Sequence, residues 1–157
     1  MFLHDVFPMD LIKIDLKAED KEDVFEELVD HFCQVENINA REEILEALRA
    51  RESKMSTGIH KGIAVPHGKT NAVAEVYGVL GISRKGIDYD ALDGEPVYLL
   101  FMVLAPPTDS EKHLRVLKRM AELLENPQFY TEILSQKGVQ GVHQVICKYE
   151  EIFLAGD

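Results

Sequence analysis

Val97-Tyr98-Leu99-Leu100-Phe101-Met102-Val103-Leu104-Ala105 is apolar in both strand phases. A strand with one wet face alternates, so a run without alternation is covered on both sides. It is too short to cross a bilayer, which takes roughly 20 residues as a helix, and Pro106-Pro107 end it. The run therefore predicts a central strand with helices above and below it.

The flanks supply those layers. Downstream, Asp109 or Ser110 can cap a helix whose stripe runs through Leu114, Leu117, Met120, Ala121, Leu123 and Leu124. Asn126-Pro127 stops and restarts it, giving a short helix through Phe129, Ile133 and Leu134 that ends near Gly138. Val142, Val145, Ile146, Tyr149 and Ile152 mark a last helix. Upstream, Ile12, Ile14 and Leu16 share one strand phase. Asp20 then opens a helix carrying Val24, Phe25, Leu28, Val29 and Phe32, broken at Asn37-Ile38-Asn39. Asn39 with Glu42 reads as a cap for a second helix through Ala40, Ile44, Ala47 and Leu48, with Arg51 in its last turn.

Ser53 to Gly62 reads as loop, Ile63 to Val65 as a strand, and Ala72 to Ile82 as a long strand. Ser83-Arg84-Lys85-Gly86 and Leu92 to Pro96 read as turns, with a short extended piece at Ile87 to Tyr89 between them. Strand, two helices, several strands, then helices is the order of an α+β fold: three layers, α/β/α, around a central mixed sheet. The length of 157 residues suits a single domain over 1–157.

Twenty-eight acidic residues against seventeen basic ones give a formal net charge of -11. A binder of nucleic acid or anionic membrane needs the opposite sign. The charge suits solubility and steers partners that present a positive face. The start of the chain has no basic patch followed by an apolar segment, so a cytoplasmic location is expected, without membrane insertion. Cys33 and Cys147 both fall in helical patterns, and are expected buried and reduced.

The chemistry concentrates in Arg51 to Thr70, RESKMSTGIHKGIAVPHGKT. Pro66 lacks a backbone donor and biases Val65 toward extended geometry, so the strand should stop there. His67 is left at its mouth, beside Gly68, which has no side chain to crowd it. Gly68-Lys69-Thr70 is not a nucleotide-binding P-loop, since that pattern needs glycine where Ile63 stands. The six histidines contain no H-E-x-x-H and no tight ligand pair. A metal site assembled across the fold from His60, His67 and His113 stays open, and no metal or cofactor is expected. A serine hydrolase lacks its G-x-S-x-G context.

His113 follows the central strand as His67 follows another, so the two can meet at one sheet edge. Two neighbouring imidazoles resist double protonation, which keeps a nitrogen nucleophilic near neutral pH. Arg51, the hydroxyls of Ser56 and Thr57, and nearby backbone N–H groups can hold phosphoryl oxygens. The residues alone leave proton transfer and a docking module beside this phosphoryl reading.

Arg51-Glu52, Ser56-Thr57-Gly58-Ile59, Gly62-Ile63-Ala64-Val65-Pro66-His67-Gly68 and Pro106-Pro107 with His113-Leu114 closely resemble the fructose/mannitol-type EIIA domain. That domain belongs to the bacterial phosphoenolpyruvate-dependent sugar phosphotransferase system. The resemblance covers nearly the whole chain and implies a type-2 EIIA phosphocarrier domain with a mixed sheet between helical layers. It implies that His67 accepts a phosphoryl group from HPr and passes it to an EIIB cysteine, serving a membrane permease, EIIC, indirectly. It implies His113 as the second pocket histidine and Arg51 as the arginine that holds the phosphoryl group, with Ser56, Thr57 and Gly68 around it. The role expected first is uptake of a fructose-like sugar, with a stand-alone nitrogen-type regulator that docks to partners as the alternative. Lys54-Met55 and Gly68-Lys69 lean toward the regulators. His60 matches no family role and is read as an exposed loop residue beside the pocket.

Overall fold

The computed structural model describes residues 1–156 apart from the side chain of His60, so the reading of that side chain lies outside the described residues. The central strand is where the sequence puts it: β6 spans Val97–Ala105. Its two apolar phases serve two cores. Leu99, Phe101, Val103 and Ala105 pack in one, and Leu100, Met102 and Leu104 in the other. Helices α2 (Lys21–Glu36) and α3 (Arg41–Glu52) cover the second core. A short α1 (Leu3–Val6), α4 (Ser110–Leu124), α5 (Pro127–Ser135) and α6 (Val139–Ala155) cover the first.

Strand β1 (Ile12–Lys13) lies parallel to β5 (Tyr77–Ile87), which runs antiparallel to β6. On the far side of β6, β3 (Ile63–Ala64) and β4 (His67–Lys69) both pair with it in parallel, and β2 (Gly58–His60) pairs antiparallel with β3. The sheet is therefore mixed, and helices flank it on both faces.

Several boundaries differ from the sequence reading. Strand β5 begins at Tyr77 rather than Ala72, and Ser83–Gly86 is a bulge inside it rather than a turn. Those four residues lie opposite Tyr98 alone; the Ser83 hydroxyl accepts the Gly86 N–H, and Gly86 takes φ 92°. Part of the loop read at Ser53–Gly62 is strand β2. Asn39 does not cap α3; Ala40 holds the cap position without a side-chain bond, because the chain leaves α2 through a left-handed Asn37 and enters α3 one residue later. Asp20 and Asp109 do cap, accepting the N–H groups of Asp23 and Lys112. Cys33 and Cys147 are half-buried rather than buried, and both are free thiols.

The largest difference for function is the rotation of α4. Its buried line is His113, Val116, Met120 and Leu123, while Leu114 is 69% exposed. Counting the imidazole as polar hides the true core stripe, which lies one residue earlier than the leucines suggest.

Candidate functional site

Strands β3 and β4 are one line of register interrupted by a proline. Ile63 pairs with Leu99, Ala64 with Leu100, His67 with Val103 and Lys69 with Ala105, the same offset throughout. Pro66 has no N–H to give, but its carbonyl accepts the Val103 N–H, so β6 continues across the gap. His67 is thus the first residue of a resumed strand, not the open end of a finished one. Side chains alternate across a strand, and here the odd positions face α4. Ile63 joins the core on that side, the His67 ring meets that of His113, and the Lys69 ammonium reaches Ser110.

The even positions face α3. A Cβ on Gly68 would sit 3.0 Å from the Ala47 backbone, so glycine is what lets α3 lie against β4. That approach places the C-terminal turn of α3, with Arg51, beside the edge where His67 stands. Ala47, Ala50, Arg51, Lys54 and Gly68 line one side of an open pocket of about 590 Å³. His67, Lys69, Ser110, His113, Leu114 and Leu117 complete it.

Two imidazoles dominate the floor. The His67 and His113 ring centroids are 5.7 Å apart and the planes meet at 73°, an edge-on contact. His67 Nδ1 is 2.8 Å from the Val65 carbonyl oxygen. A carbonyl only accepts, so Nδ1 carries the proton and Nε2 keeps its lone pair. The partner is the carbonyl two residues back, just before the proline. Burial pushes His67 below the ordinary histidine value. The Val65 carbonyl opposes that, Arg51 reinforces it and Glu52 opposes it. The ring is therefore neutral near pH 7, as a nitrogen nucleophile must be.

His113 is 4% exposed, and its Nε2 has no hydrogen-bond partner among the described residues. Burial first, then His67 and Lys69, lower its pKa to about 4. A neutral ring with an unspent nitrogen is what an arriving polar group can engage.

The electrostatics are lopsided. The chain carries 28 carboxylates, yet none lines this pocket, while three cations do: Arg51, Lys54 and Lys69. None of the three makes an ion pair among the described residues. Arg51 donates from Nη1 to the Met55 carbonyl at 3.0 Å, and Lys69 Nζ donates to Ser110 Oγ at 2.9 Å. Cations held only by neutral acceptors, with neutral imidazoles between them, form a site for an anion.

The structure does not bring Ser56 or Thr57 into this pocket. Thr57 is 3% exposed, and both its donors go to Glu52: the N–H to Oε2 at 2.8 Å and the hydroxyl to Oε1 at 2.6 Å. The Tyr89 hydroxyl lies 2.8 Å from Thr57 Oγ1, and Lys21 Nζ lies 3.2 Å from Glu52. Ser56 Oγ accepts the Gly58 N–H at 3.1 Å, closing a local turn. Glu52 is the residue that sequence reasoning missed. It follows Arg51 directly and ties the end of α3 to the Thr57 loop and to Tyr89, so it holds Arg51's segment in place. The sequence offered one signal for it: a carboxylate at a helix C-terminus, disfavoured by the helix dipole and so in need of a partner.

Residues 5–149 match the family described as phosphoenolpyruvate-dependent sugar phosphotransferase system, EIIA 2. The chain is 34% identical over 140 residues to the fructose-specific EIIABC component of Bacillus subtilis (strain 168), covering 89% of this chain and 22% of that protein. It is 33% identical over 146 residues to the fructose-specific EIIA component of Haloferax volcanii, covering 93% and 95%. The crystal structure of the nitrogen regulatory protein IIA-Ntr from Neisseria meningitidis superposes with a TM-score of 0.84 at 28% identity, covering 92% of this chain and 98% of that one. With a neutral histidine pair in a carboxylate-free pocket and a family match over nearly its whole length, the chain belongs to the EIIA type-2 family of the phosphotransferase system, whose activity is protein-histidine phosphoryl transfer.

Proposed function

We propose that His67 Nε2 is the atom that carries the phosphoryl group, received from a phosphohistidine of an HPr-type donor. The observation that supports this most is the Nδ1 hydrogen bond to Val65, which leaves Nε2 as the nucleophile. As the donor's P–N bond breaks, the bond to His67 Nε2 forms, and the donor nitrogen keeps the electron pair. The Nδ1–H stays on the Val65 carbonyl throughout. Transfer between two rings is mostly positioning and charge compensation. Arg51 supplies a planar donor set for the phosphoryl oxygens, and the free nitrogen of His113 supplies another contact. Leu114 and Leu117 give the rim an apolar surface for a transient partner.

We read the output as regulatory, the phosphorylation state of His67 deciding which proteins dock on this face. The likeness in fold and extent to the Neisseria nitrogen regulatory protein favours this reading. So do Lys54-Met55 before Ser56 and Lys69 after Gly68. The two fructose-specific relatives favour a second reading, delivery to an EIIB cysteine for sugar uptake.

The test is incubation with phosphoenolpyruvate, enzyme I and HPr, followed by mapping of the acid-labile label. Label is expected on His67, absent in His67→Gln, and slower to appear in His113→Ala and Arg51→Lys. Labelling of His67→Gln at the normal rate overturns the acceptor assignment. Adding a fructose-type EIIB separates the outputs: rapid loss of label to its cysteine supports uptake, and retention supports regulation.

A further inference from the structure

The two donors assigned above do not exhaust the positive charge in the pocket, and one of Arg51's nitrogens is already given to the Met55 carbonyl. Lys69 is two residues beyond His67 on the same face of β4, roughly 7 Å along the strand. That separation is within reach of a lysine side chain, and a shared rigid strand holds the ammonium at a set distance from the nucleophile. Its Nζ spans the gap from β4 to the first residue of α4, bonding only Ser110 Oγ, which itself donates to the Pro107 carbonyl at 3.3 Å. A hydroxyl is a weak acceptor for an ammonium compared with a phosphoryl oxygen. No carboxylate among the described residues pairs with this lysine, in a chain of net charge -11. A side chain so placed is free to change partners when an anion enters.

We propose that Lys69 is a further phosphoryl-binding residue, bonded to Ser110 Oγ while His67 is unmodified and transferred to a phosphoryl oxygen when His67 is modified. This rests on the acceptor role of His67 and extends it. The ammonium neutralises charge that Arg51 alone leaves uncompensated, so it acts both in the transition state and on the phosphorylated product. Its field already reaches His113, whose pKa it helps to lower.

Lys69 is exposed, so its replacement should leave the fold intact, which equal melting temperatures would establish. The experiment compares wild type, Lys69→Gln, Lys69→Arg and Ser110→Ala, measuring the rate of labelling by phospho-HPr and the lifetime of the label. Lys69→Gln is expected to slow labelling about tenfold, the scale of one charge-assisted hydrogen bond. Lys69→Arg should recover most of the rate, and Ser110→Ala should match or exceed wild type. In nuclear magnetic resonance titrations, His113 should titrate at higher pH in Lys69→Gln, since a neighbouring cation is gone. A wild-type labelling rate in Lys69→Gln, with label still lost in His67→Gln, overturns this role while leaving the acceptor assignment standing. Equal slowing in Lys69→Gln and Ser110→Ala overturns the exchange of partners. Label that persists in His67→Gln overturns both.

Discussion

At the scale of single residues, the site depends on two rings kept neutral by different means. His67 is half-buried and held through Nδ1, whereas His113 is buried at the pocket floor, facing His67 and Lys69. The unfolded chain binds a proton on His113 near the ordinary 6.5, but the folded ring resists until about 4. Its contribution to stability is therefore complete above about 6.5 and is lost as the pH falls toward 4. The difference is worth roughly 3 kcal/mol at most. Urea denaturation at about pH 7 and about pH 4.5 should show a smaller loss of stability on acidification in His113→Gln than in wild type; equal losses would remove His113 as the source. Thr57 makes a contrasting case. Thr57→Val deletes a buried hydroxyl from Glu52 and Tyr89, and should cost about 1–3 kcal/mol. Its labelling end point should match wild type, since the hydroxyl lies outside the pocket; a lower end point would place it against the phosphoryl group.

At the scale of elements, the pocket exists because α3 and β4 approach so closely that only hydrogen fits between them at Gly68. Gly68→Ala sets a methyl against the Ala47 backbone, and backbone cannot rotate away as a side chain can. The helix must retreat, at a cost of about 1–3 kcal/mol, and Arg51 retreats with it. Both the melting temperature and the labelling rate should drop in this variant. A normal rate with a lowered melting temperature would mean that Arg51's position is not critical. The edge of β4 adds to the same geometry. Pro66 interrupts the strand yet leaves the register with β6 unbroken, so His67 is presented by a held backbone rather than by a loop.

At the scale of the whole molecule, the two faces of the sheet are anchored by separate buried carboxylates. Glu52 secures the α3 side. On the other face Glu150, 1% exposed, accepts the Leu3 N–H at 2.7 and 2.9 Å and pairs with Arg119 at 3.0 Å, joining α1, α4 and α6. His4 Nδ1 lies 3.2 Å from the same carboxylate. Glu150→Ala strands Arg119 and the Leu3 N–H, which should cost about 3–5 kcal/mol. For a chain of this size that is a fall in melting temperature of roughly 6–20 °C. Calorimetry checks it, and a loss of under two degrees would show the network to be dispensable. Well below the transition, labelling should proceed as in wild type, since none of these groups lines the pocket.

The sequence by itself determined the central strand and the five long helices of both layers, though not the short α1, and it pointed to the candidate nucleophile. Apolar runs, capping aspartates and the Pro-His-Gly punctuation are local signals, read within a few residues. It did not determine which face of α4 turns inward, because the buried stripe contains a histidine that looks polar in any pattern count. Nor did it show that β4 resumes in register, that Val65 selects the tautomer of His67, or that Thr57 belongs to Glu52 rather than to the pocket. The rotation of α4 and the register of β4 rest on contacts between segments distant in the chain. The Val65 and Glu52 bonds are short-range but take their direction from how β4 and α3 are packed. Only packing the helices onto the sheet decides where such groups point and which water they lose.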